Sequence, residues 1–420
     1  MGGRVRKKRA KINPEDRSEP QIVAAYHRQF SILQLFFGLL NGATMFNVVF
    51  LKTCGLSATQ VGAYVSIASL IGMFAPMFWS LMSDRYKTIK KIVYITMICM
   101  LAVYLPIPLY NRIIVGSVSL APIFFIIQAA VAGTPEGMIT TWIMQTQRKH
   151  PDVQYGFIRM FFTGAFSLSN FLYMFIIEKT SINSVFIGYG IFAIIIMLIL
   201  TQYKEDPPQK EVSARKSLKD MQIGSIVKNP NIIVYIIFMM FACIPSSSLG
   251  LFTPYLLEEV GGSASMLGGM VAIRSLIAVP ILFFSNRFIR KLTPGVTLLI
   301  GSSLFCLSQL IFVVSTSVMH ITLNCAFMGI ALGIMMPSEV AFINEQAPEG
   351  LLATCQTVCG TVYSLAGILC SYLGGIVVDS LGIRMYYLLV VILTAAATVF
   401  FGISSALIRK RRHAVEEPIV

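Results

Sequence analysis

The chain has 420 residues, 56% of them hydrophobic and only 12% charged, with a mean hydropathy of +0.75. Ordinary soluble chains carry about 25% charged residues, so this composition excludes a soluble globular enzyme and identifies an integral membrane protein. The net charge of +14 is accounted for by membrane topology, and nucleic acid is not an expected partner.

Residues 1–29 form a basic head carrying Arg4, Arg6, Lys7, Lys8, Arg9 and Lys11, suited to remaining in the cytoplasm and touching anionic lipid. This is not a cleaved signal peptide: the first apolar run starts near Phe30, is long enough to span and lacks a small-residue cleavage site. About 20 residues at about 1.5 Å each cross a hydrocarbon layer of about 30 Å. Six such runs follow, at 30–51, 58–82, 90–109, 115–146, 154–177 and 183–203. A polar linker at 204–229, with Pro207 and Pro208, interrupts the pattern. Six more runs cover 231–256, 264–285, 295–315, 319–344, 351–377 and 384–408, before a short tail at 409–420. The expected fold is all-α and integral to the membrane, with twelve transmembrane helices in two six-helix bundles, 30–203 and 230–408.

Placing both termini in the cytoplasm assigns 27 of the 33 Lys and Arg residues to that side and only Lys52, Arg112, Lys179 and Arg384 to the other. This is the positive-inside bias of a multi-pass protein of the cell membrane, plasma or inner. The eight cysteines are scattered, without a Cys-x-x-Cys, and Cys355 and Cys359 lack neighbouring ligands. Neither a metal site nor a cofactor is expected. The polar segments hold no nucleotide-binding loop and no nucleophile–base arrangement, which argues against an enzyme or an ATP-driven pump.

The two halves resemble each other. Residues 57–71 (SATQVGAYVSIASLI) and 263–277 (SASMLGGMVAIRSLI) agree at eight of 15 aligned positions, and Ser83-Asp84-Arg85-Tyr86 is echoed by Ser285-Asn286-Arg287-Phe288. With six spans per half the repeat is parallel, and transporters built this way bind near the midplane between the halves.

Four charges lie alone inside apolar spans: Glu136, Arg159, Arg274 and Glu339. A charge at the bilayer centre costs roughly 2.5–3.5 kcal/mol even on the mild insertion scale, so each is a functional candidate. Glu136 follows Pro135 in a helix loosened by Gly-Thr-Pro-Glu-Gly, and such backbone is tolerated only facing protein or a water-filled cavity. Glu339 follows Pro337 in the repeat-related span, and the pair suggests proton uptake in a shared cavity. The alternatives are a structural partner of Arg159 for Glu136 and an interface role for Glu339. Arg274 has Ala68 as its repeat partner, so the fold itself needs no charge there; it is a substrate or coupling candidate, or else half of a structural ion pair. Gln34 and Asn41, seven residues apart on one helix face, suggest polar cavity lining or buried hydrogen bonding between helices. Ser246, Ser247 and Ser248 after Pro245 read similarly.

The stretch SLMSDRYKTIKK, 80–91, resembles the signature loop of the major facilitator superfamily, Gly-x-Leu-x-Asp-Arg-x-Gly-Arg-Arg. Asp84 and Arg85 stand at its acidic and basic positions; Ser80 and Lys87 replace its glycines, which predicts an altered turn. The resemblance implies that Asp84, Arg85 and Lys87 stabilise one access state. Further segments, GLSATQVGAYVSIASLIGMFAPMFWSLMSDR, YGFIRMFFTGAFSLSNF, INEQAPEGLLATCQTV and GGIVVDSLGIR, resemble the branch of proton-coupled sugar and nucleoside symporters that contains lactose permease. On that resemblance Arg159 is a substrate-contacting arginine. Phe166 stands where the branch has a stacking Trp, and offers a sugar a smaller apolar face. The branch's His-x-x-Glu on span ten is replaced by Met336, Pro337 and Ser338 before Glu339, and span nine carries no charge.

The expected function is secondary active transport by alternating access, as proton-coupled symport of a small polar solute such as a sugar or nucleoside. The expected partners are that solute, protons and membrane lipid, with the protein acting as a monomer. The rivals are proton-antiport efflux of drugs or metabolites in the same fold, and a non-transporting membrane sensor.

Overall fold

The computed structural model describes residues 19–115, 118–203, 228–348 and 351–416. Among them twelve helices are long and apolar enough to cross a membrane. In the first half these are α1 (Glu19–Thr53), α2 (Ala58–Tyr86), α3 (Ile89–Tyr110), α4 (Ala121–Lys149), α5 (Tyr155–Lys179) and α6 (Ser184–Gln202). In the second they are α7 (Pro230–Leu251), α8 (Met266–Ser285), α9 (Pro294–Val314), α10 (Val318–Gln346), α11 (Thr354–Leu381) and α12 (Ile383–Lys410). The face on which α1 begins and α12 ends is called near, and the opposite face far.

Local chemistry sets the element boundaries. Ser57 caps α2 reciprocally with Gln60: its Oγ accepts from the Gln60 backbone N–H at 3.3 Å, and its own N–H donates to Gln60 Oε1 at 3.0 Å. The other end of α2 closes on Lys87, which adopts the left-handed conformation (φ 53°) and donates its N–H to Ser83 O. The turn expected to change where the signature's glycine is missing is therefore kept, with a lysine holding a backbone position that glycine takes more cheaply.

Several bounds differ from the sequence reading. Helix α1 begins at Glu19 rather than near Phe30, because its extra turns are held to the α4–α5 loop: Glu19 pairs with His150 Nδ1 at 2.6 Å and His27 Nε2 accepts from the Gln154 N–H at 2.9 Å. Part of the expected tail is thus helix, and the final helix likewise continues to Glu416. Span four starts later than expected, after a two-residue hairpin of β1 (Ile114–Val115) and β2 (Val118–Ser119). Helix α4 breaks at Gly133, ahead of Pro135, and Trp79 Nε1 donates to Ala130 O beside the break at 2.8 Å. Helix α7 breaks at Cys243, ahead of Pro245, and a separate short helix covers Thr253–Glu259. Most of the expected linker, 204–227, lies outside the described residues, as do 1–18 and 417–420.

The halves join through α2 on α11 and α8 on α5. These approaches are backbone to backbone. A Cβ on Gly62 would stand 2.2 Å from Ser371 O, and one on Gly268 2.3 Å from Asn170 O. Gly62 and Gly268 are matched residues of the repeat, 206 positions apart. The same offset carries Lys87 onto Thr293, the other non-glycine residue with positive φ among the described residues. The echo of Ser83 at Ser285, 202 positions on, thus lies about one helical turn out of that register.

Polar contacts reinforce the far side of the join. Asp379, in the last turn of α11, accepts from the N–H groups of Ala58 at 2.9 Å and Thr59 at 2.7 Å, so a carboxylate from one half caps a helix N-terminus of the other. Ser66 Oγ donates to Ile368 O at 2.7 Å. Lys52 pairs with Glu258 and lies 4.4 Å from the centre of the Tyr255 ring. Among the described residues, every hydrogen bond and ion pair between the halves is on this far side.

Two outcomes are expected. Gly62→Leu or Gly268→Leu should stop the halves closing on the far side and raise, several-fold, labelling of a Ser69→Cys reporter by an impermeant maleimide added from that side, read by mass spectrometry of the labelled peptide. Asp379→Asn removes the charge–dipole component, about 0.3–1 kcal/mol, and should raise the same labelling by about two- to five-fold; unchanged labelling would mean that the cap is not part of the seal.

Candidate functional site

A cavity of about 510 Å³ lies between the halves, lined by Thr44 of α1, Ser69 of α2, Ser247 of α7, and Tyr363, Ser364 and Ser371 of α11, among others. Its lining is rich in hydroxyls and contains no charged side chain. The break in α7 at Cys243 and Pro245 is what places the Ser246–Ser248 run here: Ser247 lines the cavity, and Ser248 turns away to bond the Tyr386 hydroxyl at 2.6 Å.

Tyr363 links this cavity to the charges of the second half. Glu339, on α10, is half-buried and lies within electrostatic range of Tyr235, Cys243 and Tyr363. It has no hydrogen-bond or ion-pair partner among the described residues. Arg274, on α8, is in range of Tyr363 and Cys325, while its Nε and Nη1 are shut off from solvent with no acceptor. The backbone there is fixed, because Gly329 lets the Arg274 carbonyl pack where a Cβ would stand 2.4 Å away. The two opposite charges are therefore both within electrostatic range of one tyrosine and are not paired with each other.

The first half is arranged differently. Arg159 pairs through Nη1 with Glu136 Oε1, which also accepts from Thr140 Oγ1 at 3.3 Å. The guanidinium lies 4.1 Å from the centre of the Phe162 ring, and Phe162 stacks on Phe166 with centroids 6.3 Å apart and planes within 6°. Glu136, Arg159 and Phe166 are thus one column along α5, with the break before Pro135 turning Glu136 toward it.

Other expected residues are placed apart. Gln34 is fully buried and both of its amide atoms lack partners, so it does not line the cavity. Its face of α1 packs against neighbouring helices of the same half, whereas Asn41, two turns on, is partly exposed and donates from Nδ2 to Phe37 O at 2.9 Å. Asp84 and Arg85 are exposed on the near side, beside Phe78, Leu81 and Met82, with no ion pair among the described residues. Lys87 follows them at the turn.

A family description, the MFS_1 like family, matches residues 27–389. The chain belongs to that family, within the major facilitator superfamily. An uncharacterized transporter, YwbF, of Bacillus subtilis (strain 168) is 22% identical over 391 residues, covering 92% of this chain and 94% of its own. Among solved structures, the nucleoside transporter NupG superposes with TM-score 0.72 at 16% identity, over 91% of this chain and 98% of its own. A D-xylose-proton symporter superposes with TM-score 0.67 at 14% identity, over 89% and 96%. The protein is therefore a multi-pass membrane transporter of the major facilitator fold.

Within that fold, sequence reasoning missed Tyr363 and Asp379. Tyr363 carries no charge to mark it in an apolar span. Asp379 did have a signal, as an acidic residue near the far end of α11 where the positive-inside pattern gives it no purpose.

For the Arg159–Glu136 pair, single substitutions Arg159→Ala and Glu136→Gln should each lower the melting temperature, and the double variant should be little worse than either. A coupling energy of about 1 kcal/mol or more from the double-mutant cycle is expected; additive losses would show that the two side chains do not act together.

Proposed function

We propose that the protein is a proton-coupled symporter of a small polar solute, sugar- or nucleoside-like, working by alternating access in the cell membrane. The excess of Lys and Arg supports a cytoplasmic near face. On that orientation the far side, held together by the Gly62, Gly268 and Asp379 contacts, is the outer one, and we read the conformation as inward-facing. Asp84, Arg85 and Lys87, unengaged here, would make their contacts when the near side closes.

The observation that carries the reading is Glu339, a carboxylate inside the membrane, within range of the cavity tyrosine and without a protein partner. Removing the charge by proton uptake is the cheapest way to desolvate such a group. Glu136 differs, since its ion pair makes it the counter-ion of Arg159; we assign the proton to Glu339 alone. Arg159 over Phe162, with Phe166 stacked behind, forms a cation–aromatic column suited to the solute's polar and apolar faces. A proton moving down 100 mV gains about 2.3 kcal/mol and each pH unit adds about 1.4, enough together for roughly 500-fold accumulation.

The test is uptake into proteoliposomes of labelled sugars and nucleosides. Accumulation should require an inward proton gradient, collapse with a protonophore and persist without sodium. Glu339→Gln, which mimics the protonated state, should reduce accumulation to equilibration while counterflow exchange persists and loses its dependence on pH. Accumulation that survives the protonophore but needs sodium would refute the proposal.

A further inference from the structure

The first-half arginine has its carboxylate and the second-half arginine does not. Arg159 is paired with Glu136, whereas Arg274 has no carboxylate in contact, two enclosed guanidinium nitrogens without acceptors, and only Tyr363 and Cys325 as electrostatic neighbours. Its helix packs backbone to backbone on α10, where a Cβ on Gly329 would stand 2.4 Å from the Arg274 carbonyl oxygen. Leaving a cation unpaired away from water is strongly unfavourable, and the imbalance is removed when an anion is supplied. The repeat-related residue is Ala68, so packing does not require the charge.

We propose that Arg274 is an anion-recognition site: it binds a carboxylate or phosphate group, carried by the transported solute or supplied as a free inorganic anion, next to Tyr363 at the edge of the central cavity. The part concerning the solute rests on the transporter reading above; anion binding itself does not. Arg rather than Lys suits the role, since its planar fork presents paired N–H donors to two oxygens of one carboxylate or phosphate. Nε and Nη1, the two nitrogens left without acceptors, each form such a pair with Nη2.

The experiment is a thermal-shift titration of the purified full-length protein in detergent, buffered with a bulky sulfonate. The titrants are sodium phosphate, sodium acetate, and three matched solutes: glucose, glucuronate and glucose 6-phosphate. A ligand that binds only the folded state raises the melting temperature along a saturable curve. The expected result is a saturable rise with at least one anion, larger than that with glucose, and lost in Arg274→Gln. In the ligand-free state Arg274→Gln should melt no lower than wild type, because a partly buried charge without a counter-ion has been removed. Arg274→Lys should keep a weakened response, and serves as the comparison if the Gln variant does not fold.

If phosphate or acetate alone saturates the response, the anion is a free inorganic or small organic ion; if only glucuronate or glucose 6-phosphate does, it belongs to the solute. A linear, non-saturating response to every anion overturns the proposal, as does a saturable response unchanged in Arg274→Gln and Arg274→Lys. Failure of proton-driven uptake with saturable anion binding intact would instead remove the symport reading and leave the anion site standing.

Discussion

The halves of this chain approach so closely that carbonyl oxygens occupy the space where side chains would begin. At Gly62 against Ser371 and at Gly268 against Asn170, no residue but glycine fits without movement. Membrane helices cannot be driven together by an apolar core, since lipid is as apolar as their side chains, and close backbone packing takes over that function. Because both contacts come from matched positions of an internal repeat, one sequence solution is used twice, and the far-side seal is nearly two-fold symmetric in its backbone. Its polar reinforcement is not. Asp379 caps α2, while the corresponding end of α5 contributes no such bond among the described residues.

Asymmetry of the same kind runs through the interior. The contacts at Ser371 and Asn170 relate α11 to α5 by 201 positions, and that relation carries Phe162 onto Tyr363. Each half thus has an arginine in reach of an equivalent aromatic ring: Arg159 lies over Phe162, and Arg274 is within electrostatic range of Tyr363. In one half the arginine is neutralised by a glutamate, and in the other the glutamate and arginine, both in electrostatic range of the ring, are unpaired. A duplicated scaffold with one closed and one open charge set separates what is structural in the pattern from what is available for a ligand or a proton.

Much of this was legible in the sequence. The twelve spans follow from hydropathy, and the two-half organisation from the polar linker and the repeat, because length and apolarity are strict requirements for crossing a bilayer. Of the four intramembrane charges, all were marked by their cost in lipid, but which of them pair could not be read, since pairing depends on the rotation of helices far apart in the chain. Gln34 shows the same limit: the seven-residue spacing puts it on a face with Asn41, yet neighbouring helices of the same half cover it completely. At the signature's second glycine position Lys87 closes α2 in a left-handed conformation, which costs little beside the loss of a helix end.

Helix α2 carries the capped start that Asp379 grips and, 29 residues on, the end that bears Asp84 and Lys87. It behaves as a lever about 43 Å long, whose two ends serve opposite faces of the membrane. A rigid lever cannot lean inward at both ends at once, so gripping one end withdraws the other with no signal passed between them. Pro76 is the weak point of that lever, being the one proline within it. Compliance there sets how much of a movement at one end of the helix reaches the other.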